Sequence, residues 1–320
     1  AVGLESGIGR SRMVGRLGDA PYELLAFREG PDVTTAVVAS PDQGRALVID
    51  GFRASAEPEH DIAGSTTTYM AWMGHLPMML HDDPTRALVI CFGTGQTADA
   101  VRKEGPDSLT IVDINPAVFE MAHLFRHNRG VLDDPRTHLR VMDGRAWMRR
   151  TDERYDVITL EPMPPFFAGV NALYSREFYE AAHDRLTDAG TVAQWLPFHL
   201  VTDAHSRAIV GAFLDVFPNS LLWVEPVGKT GILVGRKDAR PIASAWPGLD
   251  RAVVRPDPGL APREGVVLTS EGLATYAAGH VVTDDNQILA YGAKDALFSR
   301  SGLLSSNLAS VRAVAAATPD

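Results

Sequence analysis

The chain has 320 residues, a formal net charge of −10 and one cysteine. At about 150 residues per domain this length holds one large α/β domain and a smaller one, and the negative balance, with no Lys/Arg cluster interleaved with aromatics, argues against a nucleic-acid partner. A lone Cys91 makes an intrachain disulfide impossible and points to a reducing compartment; no uninterrupted apolar run reaches about 18 residues, so nothing spans a bilayer by itself, and no signal peptide is visible.

The chain starts at Ala1, which is read as processing or as a piece of something longer. Residues 22–27, 33–39 and 45–50 are rich in β-branched or aromatic side chains and are separated by Gly-Pro-Asp and Ser-Pro-Asp-Gln-Gly turns, a pattern that predicts a small antiparallel sheet. An acidic loop holding Glu57, Glu59 and Asp61 leads to Ser65 or Thr66 as N-cap, and Tyr69, Trp72, Met73, Leu76 and Leu80 mark one face of a helix that joins the two domains.

From Arg86 the text becomes repeated strand–helix units. Ala87 to Phe92 is apolar and runs into Gly93-Thr94-Gly95, a short helical segment follows, and a second apolar run closes on Asp113. Asn115 and Pro116 open a helix whose buried stripe is Val118, Met121, Ala122 and Phe125. Strands are expected over 138–142, ending at Asp143-Gly144, and over 155–160, ending at Glu161 and the loop PMPPFFAG. A helix over 175–186, a strand over 190–195, a helix over 203–217 and late strands over 220–225 and 231–234 complete a mostly parallel sheet of about seven strands with right-handed crossovers. Beyond Lys237 the Pro-rich text reads as loop, VVTDDNQILAYGA as a strand or loop returning near the site, and residues 301–320 as a helical tail ending in disorder.

Asp113, Asp143 and Glu161 each end a predicted parallel strand, where open α/β sheets bind ligands. The glycine turn lets backbone N–H groups approach a ligand, and a carboxylate about 20 residues on can accept both ribose hydroxyls of a nucleoside. A coherent division of labour puts Asp113 on a ribose, Asp143 on an adenine amino group and Glu161 beside a reacting centre. Capping of the helices that follow is the plain alternative for each of the three. Cys91, in the strand before the turn, reads as core packing more than as a nucleophile. His123 and His127 stand four apart on one predicted helix, but no Glu accompanies them as a zinc enzyme needs. No G-x-S-x-G supports hydrolase chemistry.

With these residues in place, the chain resembles the spermidine/spermine synthase (polyamine aminopropyltransferase) family over roughly residues 20 to 295. The likeness rests on LVIDG, TYMAWMGHLPMMLHDDP, LVICFGTG, VDIN, DDPRTHLRVMDG, YDVITLEPMPP, LYSREFYE and GTVAQWL, in that order. Within the family it is most similar to spermidine-synthase-like domains that follow a membrane-embedded segment in some bacterial proteins. The resemblance implies an N-terminal β domain over 1–64, a Rossmann-like, methyltransferase-type catalytic domain over 65–300 and a tail. It also implies a homodimer in the cytoplasm, free or at the inner face of a membrane through a segment outside this chain. The activity it implies is transfer of aminopropyl from decarboxylated S-adenosylmethionine to a small amine, with methylthioadenosine leaving and no metal. Glu161 falls at the catalytic acid's position. Gly93, Thr94, Gly95, Asp113, Ile114, Asp143 and Gly144 fall on the donor, and Tyr69 and Gln194 on the substrate side.

The departures from the family pattern are as informative. Thr94 replaces an aspartate that meets the aminopropyl ammonium, Ala54 a donor-contacting glutamine, Ser65 and Thr66 an Asp-Glu pair near the amine, and Asn115 the second acid of EID; Glu57, Glu59 and Asp61 offer replacement charge. Two other functions stay open on this fold: a transferase that uses intact S-adenosylmethionine to move methyl or aminocarboxypropyl, and a non-catalytic nucleoside sensor.

Overall fold

In the computed structural model, residues 22–41, 43–57, 68–242, 265–277, 279–292, 294 and 302–318 are described. Glu59, Asp61, Ser65 and Thr66, the expected domain boundary at 64 and the Pro-rich stretch 255–264 lie outside the described residues.

The small sheet has four antiparallel strands in sequential order, β1 (Glu23–Glu29), β2 (Thr34–Ser40), β3 (Gly44–Ile49) and β4 (Phe52–Glu57). The fourth strand was not expected from FRASAE, which holds no β-branched residue. It forms because Asp50 (φ 49) and Gly51 (φ 78) make a two-residue turn that places Ile49 opposite Phe52. Positive φ at both central positions is the backbone that matches strand twist in a tight hairpin. Glu57 is therefore a buried strand residue and not loop charge: its carboxylate accepts from the backbone N–H groups of Arg126 (2.8 Å) and His127 (2.9 Å).

Helix α1 (Thr68–Met79) follows and buries Met73 and Leu76 against Trp195 and Trp223 of the large sheet. The strand–helix alternation then runs β5 (Arg86–Ile90), α2 (Gln96–Lys103), β6 (Ser108–Asp113), α3 (Pro116–Glu120), β7 (Thr137–Val141), α4 (Gly144–Arg150), β8 (Tyr155–Leu160), α5 (Arg176–Arg185), β9 (Leu186–Leu196) and α6 (Asp203–Val216). Strands β10 (Asn219–Val224), β11 (Gly231–Arg236) and β12 (Val266–Leu268) complete eight strands in the order β12-β10-β11-β9-β8-β5-β6-β7. Strands β7, β6, β5, β8 and β9 pair in parallel, and β11, β10 and β12 pair antiparallel. The sheet exceeds the expected seven by β12, a three-residue edge strand just after the Pro-rich stretch.

Helix α3 stops at Glu120, and a 3-10 turn over Ala122–Leu124 follows. The expected helix does not reach Phe125: the N–H groups of Leu124 and Phe125 bond to carbonyls three residues back, at Met121 and Ala122, and those of Arg126 and His127 go to Glu57. His123 and His127 consequently do not share a helical face. Helices α7 (Ser270–Ala277), α8 (Ile288–Tyr291) and α9 (Leu303–Ala317) close the described chain. Leu308 and Val311 of α9 join the cluster formed by α5, α6 and β8, so this helix packs on the sheet domain instead of trailing from it. On the opposite face, Val37 and Leu47 of the small sheet pack with Val89, Phe92 and Ile111, which fixes the small sheet over the ends of β5 and β6.

Candidate active site

Strands β5 and β8 are neighbours at the centre of the sheet, and the chain proceeds from β5 to β6 and β7 on one side and from β8 to β9 on the other. The connections leaving their C-terminal ends diverge there and open a crevice. The glycine turn after β5 and Glu161 after β8 meet at this point.

The turn is left-handed at Cys91 (φ 71), Gly93 (φ 55) and Gly95 (φ 85). A Cβ on Gly95 would lie 2.6 Å from the Phe92 ring and 2.8 Å from Asn128, so both backbone conformation and space require glycine. Asp113, at the end of β6, clamps the turn by accepting from the N–H of Phe92 (2.7 Å) and of Asn115 (2.8 Å). Burial raises its carboxyl above the ordinary value, opposed by backbone N–H donors of Asn115, Phe92 and Gly93. A carboxylate offers about four lone-pair sites, and the backbone donors of Phe92, Gly93 and Asn115 leave room for a ribose hydroxyl. Ile114 beside it is 57% exposed, an apolar surface next to that carboxylate.

Asp143 precedes α4 and accepts from the N–H of Ala146 (2.8 Å), so the capping role is present here. Gly144 follows where the chain crosses β5: a Cβ there would sit 2.4 Å from Ile90 Cγ2. Arg145 pairs with Asp284, whose N–H donates to Glu177 (2.9 Å), and these contacts bring the loop of the TDD motif back to this end of the sheet.

Glu161 is held from two sides. Tyr69 of α1 donates its hydroxyl to Oε1 (2.7 Å), and Thr97 of α2 lies 3.2 Å from Oε2 and 3.0 Å from the Met70 carbonyl. A hydroxyl carries one proton, so Thr97 either donates to the carboxylate or donates to Met70 while accepting from protonated Glu161. The pair of contacts thus serves both protonation states. Burial pushes the Glu161 carboxyl up to about 7, with the Tyr69 and Thr97 hydroxyls acting against that rise. A group poised near neutrality can take a proton and release it again. Tyr69 itself is pushed well above its ordinary range by burial and by Glu161, so it remains a neutral donor. Its ring stacks on Trp195 at 6.1 Å and 13°, and Trp195 is fixed by its Nε1–H to Thr230 (3.0 Å). Cys91 packs against the core, and burial followed by Asp113, Glu161 and Asp143 raises its thiol well above the usual range, which keeps it protonated and unsuited to nucleophilic attack.

The structure thus joins Tyr69 to Glu161 and the glycine turn to Asp113. Two expected site residues stand apart. Thr94 is 1% exposed and turns its hydroxyl to Ser55 of β4 (2.9 Å), accepting also from Gln96 (2.8 Å), so it docks the turn on the small sheet. Gln194 is fully buried; it accepts from the Tyr179 hydroxyl (3.3 Å) and donates to the Trp195 carbonyl (3.0 Å), one layer behind the crevice. Thr97 was missed from sequence, although its place one residue into α2 after the glycine turn could have suggested it.

The chain is similar to one family model, to two curated relatives and to two solved structures. Residues 66–208 match the family model described as spermine/spermidine synthase domain. The chain is 30% identical over 198 residues to a polyamine aminopropyltransferase of Nitrosomonas europaea, covering 61% of this chain and 59% of that protein. It is 33% identical over 178 residues to polyamine aminopropyltransferase 2 of Pseudomonas aeruginosa, covering 54% and 49%. The matches therefore span about half the length of these relatives. Its fold is similar to that of a spermidine synthase from Thermotoga maritima (TM-score 0.64, 19% identity, 84% of this chain and 87% of that one). A spermidine synthase in complex with the transition-state analogue AdoDATO gives a TM-score of 0.63 at 19% identity and the same coverage.

Proposed function

We propose that this protein, whose residues 66–208 match the spermine/spermidine synthase domain model, is an aminopropyltransferase-type enzyme that alkylates a small amine from a sulfonium nucleoside. The observation that carries the reading is Glu161: a carboxyl brought to about 7, gripped by Tyr69 and Thr97, at the central strand end beside a clamped glycine turn.

The donor's adenosine lies along the Gly93–Thr94–Gly95 turn, with Asp113 on the ribose, Ile114 against the base, and Asp143 with Gly144 at the adenine edge. The acceptor enters beside Tyr69. An alkylamine has a pKa of about 10.4 and arrives protonated, so one proton must leave before nitrogen can attack. Glu161 takes that proton. The nitrogen lone pair then attacks the carbon next to sulfur. The N–C bond forms, the C–S bond breaks, its electron pair stays on sulfur, and methylthioadenosine departs as a neutral thioether. Holding both partners at the strand ends turns a bimolecular displacement into a positioned one. The same reading makes the protein a homodimer in the cytoplasm, free or held at the inner face of a membrane by a segment outside this chain.

One observation favours a second reading. Thr94 is uncharged and directed at Ser55, so no carboxylate at residue 94 opposes the carboxylate of intact S-adenosylmethionine. On that reading the transferred group is aminocarboxypropyl or methyl. Mass spectrometry of products from decarboxylated and intact donor with a panel of amines separates the cases. Methylthioadenosine with an aminopropylated amine supports the first. The same nucleoside with a carboxylated product, or S-adenosylhomocysteine, supports the second, and no product from either donor refutes both.

A further inference from the structure

Glu225 follows the last residue of β10. Strand β9 runs parallel to β8, β11 antiparallel to β9 and β10 antiparallel to β11, so β10 points the same way as β8 and ends at the same edge of the sheet as Glu161. Glu225 is completely buried, which a carboxyl tolerates only where hydrogen bonds replace water. They come from the turn that follows: the backbone N–H of Val227 donates to Oε1 (3.0 Å), that of Gly228 to Oε2, and that of Lys229 to the same carboxylate. Lys229 is held left-handed (φ 53), a backbone costly for a residue with a side chain, and the Glu225 N–H closes the hairpin on the Thr230 carbonyl (2.9 Å).

This turn bears on Tyr69 in two places. A Cβ built on Gly228 would lie 2.9 Å from Glu225 Oε2, 3.5 Å from Tyr69 Cδ1 and 3.9 Å from Tyr69 Cβ, so the bare glycine is packed between the carboxylate and the ring. Thr230 accepts from Trp195 Nε1 (3.0 Å) and donates to the Leu196 carbonyl (3.2 Å), which fixes the indole on which the Tyr69 ring stacks. We propose that Glu225 is a positioning residue for the Tyr69–Glu161 pair: by holding the β10–β11 turn in shape it seats the Tyr69 ring and so aims the hydroxyl at Glu161. This inference rests on the reading of Glu161 as the proton acceptor.

The Glu161 carboxyl reports the seating, because Tyr69 of α1 and Thr97 of α2 hold it down against the rise that burial causes. In Glu225→Gln the amide nitrogen faces backbone N–H donors, so the clamp loses an acceptor. In Gly228→Ala the added methyl enters between carboxylate and ring. NMR of isotope-labelled glutamate carboxyls, with Glu161→Gln to assign the signal, follows the Glu161 titration without any acceptor amine. Both variants should raise its midpoint by roughly half to one pH unit, as expected when a donor to a carboxylate is displaced. Adding Tyr69→Phe to either should bring the midpoint to that of Tyr69→Phe alone. Methylthioadenosine affinity by calorimetry should be unchanged, because Asp113 closes β6, on the far side of β8 from β10. A merely structural clamp would lower the melting temperature and leave the midpoint in place. That result, or a double variant titrating above Tyr69→Phe alone, would overturn the assignment. If Glu225→Gln does not fold, Gly228→Ala decides by the same readout. A wild type that transfers to no amine would defeat the transfer reaction, while the midpoints still decide whether Glu225 seats Tyr69.

Discussion

Replacing Glu161 by Gln isolates the proton-accepting role, because the amide keeps the size of the side chain and can still accept from Tyr69 and donate to Thr97. The wild-type carboxyl titrates at about 7 against an ordinary 4.5. At about 1.36 kcal/mol per unit, the ionised form costs the folded state about 3 kcal/mol. The sign follows from the raised value. The cost is absent below the unfolded value, grows as pH rises toward 7, and is fully present above it. Glu161→Gln should therefore be more stable than the wild type at pH 8 by up to about 3 kcal/mol, and equal to it near pH 4, by denaturant titration. Turnover should move the other way, falling roughly 100-fold or more. The wild-type rate should rise with pH through about 7 as the base ionises. The residual rate of the variant should lack that inflection and climb toward higher pH, where the amine loses its own proton. Full activity in the variant, or an inflection near 7 that survives it, would refute the assignment.

Other perturbations have definite outcomes. Tyr69→Phe removes a donor that holds the Glu161 value down, so the acid limb of the pH–rate profile should move to higher pH and turnover at pH 7 should fall roughly three- to tenfold; an unmoved limb contradicts the pairing. Thr94→Asp places a carboxylate at a 1% exposed position bonded to Ser55 and Gln96. It should cost about 3 kcal/mol or more in thermal unfolding without restoring preference for the decarboxylated donor, and a stable variant with that preference would show that the side chain at residue 94 faces the ligand. Gly144→Ala drives a methyl to 2.4 Å from Ile90 Cγ2 and should cost about 1–3 kcal/mol of folding stability, with a neutral effect ruling out the close approach of α4 to β5.

The central sheet was legible because parallel strands covered on both faces read as largely apolar runs, such as Ala87–Ile90 and, apart from Asp156 and Thr159, Tyr155–Leu160. Asp113 and Glu161 were legible because they close such buried strands, whereas Asp143 follows the exposed edge strand β7 and was placed by the Asp-Gly step that opens α4. What stayed hidden depended on partners distant in sequence. Strand β4 exists through its hairpin with β3, β12 through pairing with β10, and the chain after Phe125 is held by Glu57, a residue 69 positions away from Arg126. Gln194 and Trp195 show how a single residue decides a role, since alternation along β9 sends Trp195 to the face that carries Tyr69 and Gln194 to the face that carries Tyr179. Thr97 belongs to no motif with a stated chemistry, and only its placement beside Glu161 singles it out.

The central claim is that a nucleoside sits where β5 and β6 end, clamped by Asp113. Calorimetry of methylthioadenosine with the wild type and with Asp113→Asn tests it without reference to any acceptor. Melting temperatures recorded alongside separate loss of the ligand contact from loss of the Phe92 and Asn115 clamp. The wild type should give a saturable isotherm, and the variant, still folded, should bind at least roughly tenfold more weakly, as expected for a lost charge-assisted hydrogen bond. No binding by the wild type, or equal binding by a folded variant, would contradict the account.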